Sequence, residues 1–307
     1  MPRCSVIIVT YNSSAHIEAC VKALAPQDCE IIVVDNASHD DTLSRLESLA
    51  DEIPLQVLSL HRNLGFAAGV NVGARAAVSD VLLILNPDAI AESGAIDELL
   101  TCLTRSGAAA VGGALLQSDW PAKGFAFRRL PTLASLLFEV LGINQFWPSN
   151  PVNRSYRCLD ADYSREQPVE QPAGACLAIR SEIWESLRGM DSRFFPVWFE
   201  DVDLCARIQK AGGKIVYCPA ARFQHDGAHS VGQLRFRDRQ VFWYANMLRY
   251  AAKHFSRVSV LVLRAGIIAG MLLRIIASAL AGVPGGINRR SAVRAYCQVA
   301  CETLGAS

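Results

Sequence analysis

The feature that most constrains this chain is the regular alternation of short aliphatic runs with helix-period segments through residues 1–116. Val6 to Val9, Ile31 to Val34, Gln56 to Leu60, Val81 to Leu85 and Ala109 to Leu116 read as strands. Several are unbroken in apolar residues, as strands buried on both faces must be. Between them Ser13 to Leu24, a segment entered through Asp40-Asp41-Thr42, Gly65 to Val78 and Glu92 to Thr104 read as helices, with Ser13 or Ser14 capping the first. This βαβα order selects an α/β fold, a mostly parallel sheet with helices on both faces. Ligands collect at the carboxyl ends of such strands. Here those ends are polar: Thr10-Tyr11-Asn12, Asp35-Asn36 and Asn86-Pro87-Asp88. An aliphatic run that stops at Asp88 delivers a carboxylate to the mouth of the crevice.

From Gln117 to Pro172 the rhythm fails, and the segment reads as an insertion beside the crevice, helical at Leu133 to Leu141. Order returns with a strand at Ala173 to Ile179, a short helix capped by Ser181, a loop from Phe195 entering a helix at Glu200-Asp201, and a strand at Lys214 to Cys218 that His225 follows. The expected organisation is an α/β domain over 1–234, in a regular half (1–116) and a half that carries the insertion (117–234), then a helical region over 235–307.

A formal net charge of +1 on 307 residues argues against a nucleic-acid partner. The balance conceals an asymmetry. From residue 249 onward eight basic residues (249, 253, 257, 264, 274, 289, 290, 294) face one acid, Glu302, a net +7 that leaves −6 on the remainder. Val258 to Val283 is nearly all aliphatic. Arg264 and Arg274 divide it into runs too short for a plain transmembrane helix. On one continuous helix Arg249, Lys253, Arg257, Arg264 and Arg274 fall within an arc of roughly 100°, a basic stripe suited to an anionic membrane surface through 249–283. Gly266 and Gly270 weaken the assumption of continuity, and a buried helix pair with its arginines on the acidic body is the alternative. The ten cysteines form no C-x-x-C pair and read as buried thiols of a reducing compartment. The N-terminal apolar stretch is too short for a signal peptide, which places the body in the cytosol.

Taken in order, Thr10-Tyr11-Asn12, Asp35-Asn36, Asn63-Leu64-Gly65, Asn86-Pro87-Asp88, Glu200-Asp201 and the run His225 to Ser230 resemble the family 2 inverting glycosyltransferases of GT-A fold, and within them the rhamnosyltransferase-like members. The resemblance covers roughly residues 4 to 230, and the aliphatic basic tail is typical of that subgroup. It implies a nucleotide-diphosphate sugar donor, most plausibly dTDP-L-rhamnose, a glycan or polyprenyl-linked acceptor, a divalent cation (Mg²⁺ or Mn²⁺), and a site on the cytosolic face of a membrane. Donor contacts implied are Thr10, Tyr11, Asn12, Asp35, Asn63 and Asn86, with the Asp35 carboxylate accepting from a pyrimidine N3–H. Capping of the turn into the next helix is the other reading of Asp35, and close packing of a helix on the sheet the other reading of the glycines after Asn63.

Asn86-Pro87-Asp88 occupies the place of the family's D-x-D motif and departs from it at the first position, so Asp88 is the expected carboxylate ligand. His225 matches the H-x-x-x-x-S pattern and is expected to complete the metal site, with His229 as rival. Asp201 matches the catalytic base, Glu200 and Asp203 read as supporting or helix-dipole acids, and Trp198 and Glu200 are expected at the acceptor or sugar pocket. Galactofuranosyl or other hexosyl transfer fits the same motifs. A sugar-nucleotide pyrophosphorylase would need a glycine-rich basic loop after the first strand, which Thr10 to Ser14 lacks. A noncatalytic nucleotide-sugar or glycan binder would have little use for Asp88 and Asp201 together.

Overall fold

Period-two alternation inside the apolar runs decides which side chain enters which layer. In the computed structural model, which describes residues 2–117, 120–225, 232, 234–281 and 287–305, the elements in chain order are β1 (Ser5–Thr10), α1 (Ile17–Leu24), β2 (Glu30–Asp35), α2 (Thr42–Ala50), β3 (Gln56–Ser59), α3 (Phe66–Ala76), β4 (Val81–Leu85), β5 (Ala89–Ala91), α4 (Ala95–Ser106) and β6 (Ala110–Gln117). There follow β7 (Trp120–Pro121), β8 (Phe127–Arg128), α5 (Leu133–Val140), α6 (Ile143–Phe146), α7 (Pro151–Tyr156), β9 (Gln167–Pro168), β10 (Gln171–Pro172), β11 (Cys176–Arg180), α8 (Ser181–Ser186), α9 (Glu200–Lys210) and β12 (Ile215–His225). The tail forms α10 (Phe236–His254), α11 (Arg257–Ala281) and α12 (Arg289–Gly305). Contacts divide the chain into two compact units, one of residues 1–130, 157–196 and 200–230, the other of 131–156, 197–199 and 231–307.

In the first unit the sheet order is β3-β2-β1-β4-β11-β6-β12-β5. Pairings within β3-β2-β1-β4 and between β6 and β12 are parallel. β11 runs antiparallel to both its neighbours, because the chain re-enters the sheet from the carboxyl edge after the insertion: Cys176 lies opposite Leu85 and Arg180 opposite Val81. Val6, Ile8, Val33, Leu83 and Leu85 pack with α1, α2 and α4 on one face, while Ile7, Val9, Val34, Leu82 and Ile84 pack with α3, α8 and α9 on the other. A one-residue slip would exchange both layers, so the register is tightly held. That register sets Thr10 level with Asp35, and Asp35 level with Ser59.

Several local expectations shift. The first helix begins at Ile17 rather than Ser13, because Ser13 instead closes a turn in which its carbonyl accepts from the amides of His16 and Ile17. Ser181 is not a cap; its hydroxyl donates to the Ser79 carbonyl. Gly69 and Gly73, one turn apart in α3, are packing residues. A Cβ at Gly69 would sit 2.7 Å from Val9 Cγ1 and one at Gly73 2.5 Å from Ile7 Cγ2. The last strand runs on to His225, which therefore ends β12 instead of following it. No cysteine is in a disulfide; most are buried, but Cys297 and Cys301 are exposed on α12.

In the second unit Thr132 and Ser135 form a reciprocal capping box at the start of α5. The tail is not one continuous helix. It breaks at Phe255, in extended conformation between α10 and α11, and not at the glycines. Gly266 and Gly270 lie inside an unbroken α11 and admit α5: a Cβ would stand 2.5 Å from Leu137 Cδ2 at the first and 2.1 Å from the Val140 carbonyl at the second. The residues of the expected basic stripe are thus divided: Lys253 and Arg257 are exposed, whereas Arg249, Arg264 and Arg274 are half-buried. Arg274 turns inward and donates to the carbonyls of Val140, Gly270 and Glu139, satisfying the C-terminal end of α5 as a cation does there. Because α11 is unbroken across both arginines, it is by length and composition apolar enough to cross a membrane, contrary to the reading from its runs.

Candidate active site

The carboxyl ends of β1 and β2 carry the first cluster. Asp35 is buried; its Oδ1 accepts from Thr10 Oγ1 at 3.0 Å and Ser38 Oγ at 2.5 Å, and its Oδ2 from Ser38 N at 3.1 Å. The turn-capping geometry is thus present, and two oxygens with four lone-pair positions leave Oδ2 able to take a further donor. Asn12, at φ 50°, donates its backbone N–H to Ser38 Oγ at 2.9 Å and accepts from His39 N at 2.7 Å through Oδ1. Tyr11 lies half-buried with its ring edge-on to His39, centroids 6.3 Å apart. Asn63 Oδ1 accepts from Asn36 Nδ2 at 3.1 Å and Gly65 N at 2.8 Å, so this side chain shapes its own loop. Gly65 has φ +84° and a Cβ there would meet Phe195 at 2.9 Å, which makes glycine a requirement of the backbone.

The second cluster stands where β4 ends. Asn86 is half-buried and its amide donates to the Ala175 carbonyl at 3.0 Å, joining this loop to the approach of β11. The chain then turns into β5, which pairs antiparallel with the end of β12 so that Ala89 faces His225. This register brings His225 beside Asp88, 137 positions earlier in sequence, with Nε2 3.3 Å from Oδ1 and both side chains buried. The approach lies off the ring N–H axis, and Nε2 has no hydrogen bond among the described residues. Phe125 stacks on the imidazole at 5.4 Å. Burial acts to raise the Asp88 pKa, and the adjacent imidazole outweighs it, so the carboxyl sits below its ordinary value.

A buried ring nitrogen without a donor or acceptor, facing a carboxylate oxygen, fits a shared cation. Two cis ligands at about 2.1 Å from an octahedral ion lie about 3 Å apart, close to the observed separation. No third His, Cys, Asp or Glu joins them among the described residues, so the rest of such a coordination shell would come from phosphate oxygens or water. His229 lies outside the described residues.

The third cluster is at the start of α9. Asp201 Oδ2 accepts from Gly174 N at 2.9 Å and Gln171 Nε2 at 3.1 Å, and Oδ1 accepts from Val202 N at 2.8 Å. Its side chain keeps some solvent exposure, yet the protein packed around it desolvates the carboxylate and raises its pKa. Gly174 permits this contact, since a Cβ there would stand 2.9 Å from Asp201 Cβ. Glu200 is buried with Oε2 unbonded among the described residues, and burial, then the Asp201 charge, holds its pKa well above the usual carboxylate range. Asp203 is fully buried and pairs with Arg207 Nε at 2.8 Å, which makes it a support of α9. Trp198 and Phe199 belong to the second unit and have positive φ (81° and 69°), a conformation that only surrounding packing can enforce. Phe199 packs there on Trp243 and Tyr250, and the Val197 carbonyl accepts from Asn246 Nδ2 at 2.8 Å.

Three contributors escaped the sequence reading: Gln171, Ser38 and Phe125. Ser38 had a signal in the Asp35-to-Ser38 turn; Gln171 and Phe125 sit in the insertion, where no period marks them.

Residues 5–157 match the family described as glycosyl transferase family 2. An N-acetylglucosaminyl-diphospho-decaprenol L-rhamnosyltransferase of Mycobacterium tuberculosis is 32% identical over 244 residues, 74% of this chain and 77% of that enzyme. The chain belongs to glycosyltransferase family 2. This glycosyltransferase is also 27% identical to the rhamnosyltransferase WbbL of Escherichia coli over 276 residues, covering 83% of this chain and 97% of WbbL. In fold it is similar to the mannosyltransferase PcManGT of Pyrobaculum calidifontis, solved with GDP-Man and Mn²⁺ (TM-score 0.59, 17% identity, 99% of this chain and 87% of that one). A second solved relative in fold is S. aureus TarS 1–349 with UDP-GlcNAc (TM-score 0.56, 14% identity, 98% and 81%). The mostly parallel sheet of this chain is that of a GT-A fold.

Proposed function

We propose that the enzyme is an inverting, metal-dependent hexosyltransferase that moves L-rhamnose from dTDP-rhamnose to a polyprenyl-linked glycan at the cytosolic face of a membrane. The observation that carries this reading is the match to a rhamnosyltransferase acting on a decaprenol-linked N-acetylglucosamine, over 77% of that enzyme's length. Residues 1–234 would be its catalytic part and the tail its attachment to the membrane.

In this reading Asp35 meets the pyrimidine N3–H through Oδ2, Thr10 and Ser38 fix its orientation, and Tyr11, Asn12, Asn63 and Asn86 border the nucleotide. Asp88 and His225 would hold Mg²⁺ or Mn²⁺, which neutralises charge building on the departing diphosphate. Inversion requires the acceptor hydroxyl to attack the anomeric carbon opposite the diphosphate, and Asp201 takes the hydroxyl proton. The raised pKa of Asp201 suits that task, because a more basic carboxylate is a better proton acceptor once ionised. Gln171 and Gly174 hold Oδ2, which fixes the plane of the carboxylate. Glu200 would border the acceptor or sugar.

Titration of dTDP and UDP, with and without Mn²⁺, against wild type, Asp35→Ala and Asp35→Asn tests the reading. Metal-dependent binding that favours dTDP and weakens in both variants is expected. Binding of neither nucleotide would overturn it.

A further inference from the structure

The second unit turns its helix α11 inside out. Arg264 and Arg274 lie half-buried with Leu263, Ile267 and Met271 on the inner side, and the Arg264 Nε is enclosed with no hydrogen-bond partner among the described residues. The outer side carries Val258, Leu261, Leu272, Leu273, Ile276 and Leu280, all more than half exposed. With the exposed Ala265 and Ala269 between Leu261 and Leu272, they fall within an arc of about 120° and make one stripe about 33 Å long. A soluble protein rarely leaves so long an apolar stripe uncovered.

A second apolar feature belongs to the same unit. Arg274 and Gly270 of α11 contact the Val140 carbonyl at the end of α5, and six residues further on Phe146 is 90% exposed with Trp147 beside it at 55%. The short α6 thus presents an aromatic pair close in chain distance to the point where α5 meets the middle of α11. Trp is enriched at the boundary between lipid and water, where an apolar ring body and a polar N–H are both satisfied.

Charge selects the occupant. α11 contains no acid, Arg257 opens it, and Arg289, Arg290 and Arg294 are exposed just beyond it. We propose that the second unit lies on an anionic bilayer through the outer stripe of α11 together with the Phe146–Trp147 tip, the flanking arginines meeting lipid phosphates. The inner side of α11 is committed to α5 and α12, so the helix lies in the interface and does not cross. The inference rests on the peripheral membrane reading above and adds to it a contact from the insertion, more than a hundred residues before α11.

The test is flotation of the full chain with phosphatidylcholine vesicles, with and without phosphatidylglycerol, for wild type, F146S/W147S and L272Q/I276Q. Circular dichroism melting checks that each variant folds; since both residues of the first are exposed, its melting point should match wild type. Wild type is expected to float with anionic vesicles only, and F146S/W147S to lose at least about tenfold in partitioning, as removal of two interfacial aromatics implies. Equal binding of wild type and a folded F146S/W147S overturns the inference while leaving peripheral attachment standing. Failure of wild type to bind any vesicle overturns the attachment itself. Resistance of the bound protein to alkaline carbonate extraction would make α11 a spanning helix, and a dimer abolished by L272Q/I276Q without vesicle binding would make the stripe an interface between copies; either result overturns the proposal.

Discussion

The side-chain amide of Gln171 donates to Oδ2 of Asp201 at 3.1 Å, across thirty positions of sequence and at the same oxygen that Gly174 N reaches at 2.9 Å. Two donors on one oxygen favour the ionised carboxylate and hold its plane, against the burial that favours the protonated form. Glu200, Arg128 and Cys205 are the other ionisable groups that act on Asp201 or feel its charge.

Removing the Gln171 donor should therefore raise the Asp201 pKa further. In Gln171→Leu the acid limb of kcat/KM is expected to move to higher pH, with a larger loss of activity at about pH 6 than at about pH 8. Asp201→Asn should lower kcat by about 10²–10⁴-fold with donor affinity within a few fold, the range expected for loss of a general base. A pH profile of Gln171→Leu that superimposes on wild type would reduce Gln171 to a packing residue.

Asp88→Ala and His225→Ala should each weaken Mn²⁺-dependent nucleotide binding by about 10–100-fold while leaving metal-free binding nearly unchanged. Calorimetric titration at fixed nucleotide and varied Mn²⁺ reads this directly. Indifference of both variants to the ion would leave the Asp88–His225 approach as a structural contact.

Glu200 makes stability depend on pH. Its folded pKa is raised above the ordinary 4.5, so between those two values the folded state binds more protons than the unfolded, and stability falls as pH rises through that window. Glu200→Gln cannot ionise and should show a shallower fall in melting temperature from acid to neutral pH. Asp201, also raised, supplies a slope of the same sign that persists in the variant. An unchanged slope would show that Glu200 is not the group responsible.

Gly73→Ala should destabilise the first unit by about 1–3 kcal/mol, because the new Cβ stands 2.5 Å from Ile7 Cγ2 and 3.2 Å from Val34 Cγ2 and those side chains are fully packed. The melting temperature is the measurement. A variant as stable as wild type would mean that α3 can lift from the sheet without cost.

Much of the first unit is legible in sequence because local physics fixes it. A run such as Ser5 to Thr10, buried throughout, has few alternatives to a central strand, and the parallel order follows from the helices between such runs. Thr10, Asp35 and Asp88 are legible for the same reason, since each ends a strand and strand ends share one edge. The insertion is less so: the helix at Leu133 is marked by its period, whereas the pairing of β8 with β10 and the place of Gln171 are not.

The sequence by itself thus determined the class of fold, the order of its elements and the carboxylates at the strand ends, since periodicity and turn chemistry act over a few residues. Tertiary structure alone decided that His225 closes on Asp88, because that contact is made by the register of β5 on β12. It also decided that Gln171 holds Asp201, and that Arg264 and Arg274 of α11 are half-buried while its aliphatic side faces out. A helical wheel gives the relative directions of side chains on one helix, but which direction is buried depends on where α5 packs, and Gly266 and Gly270 choose that side by allowing its backbone to come close.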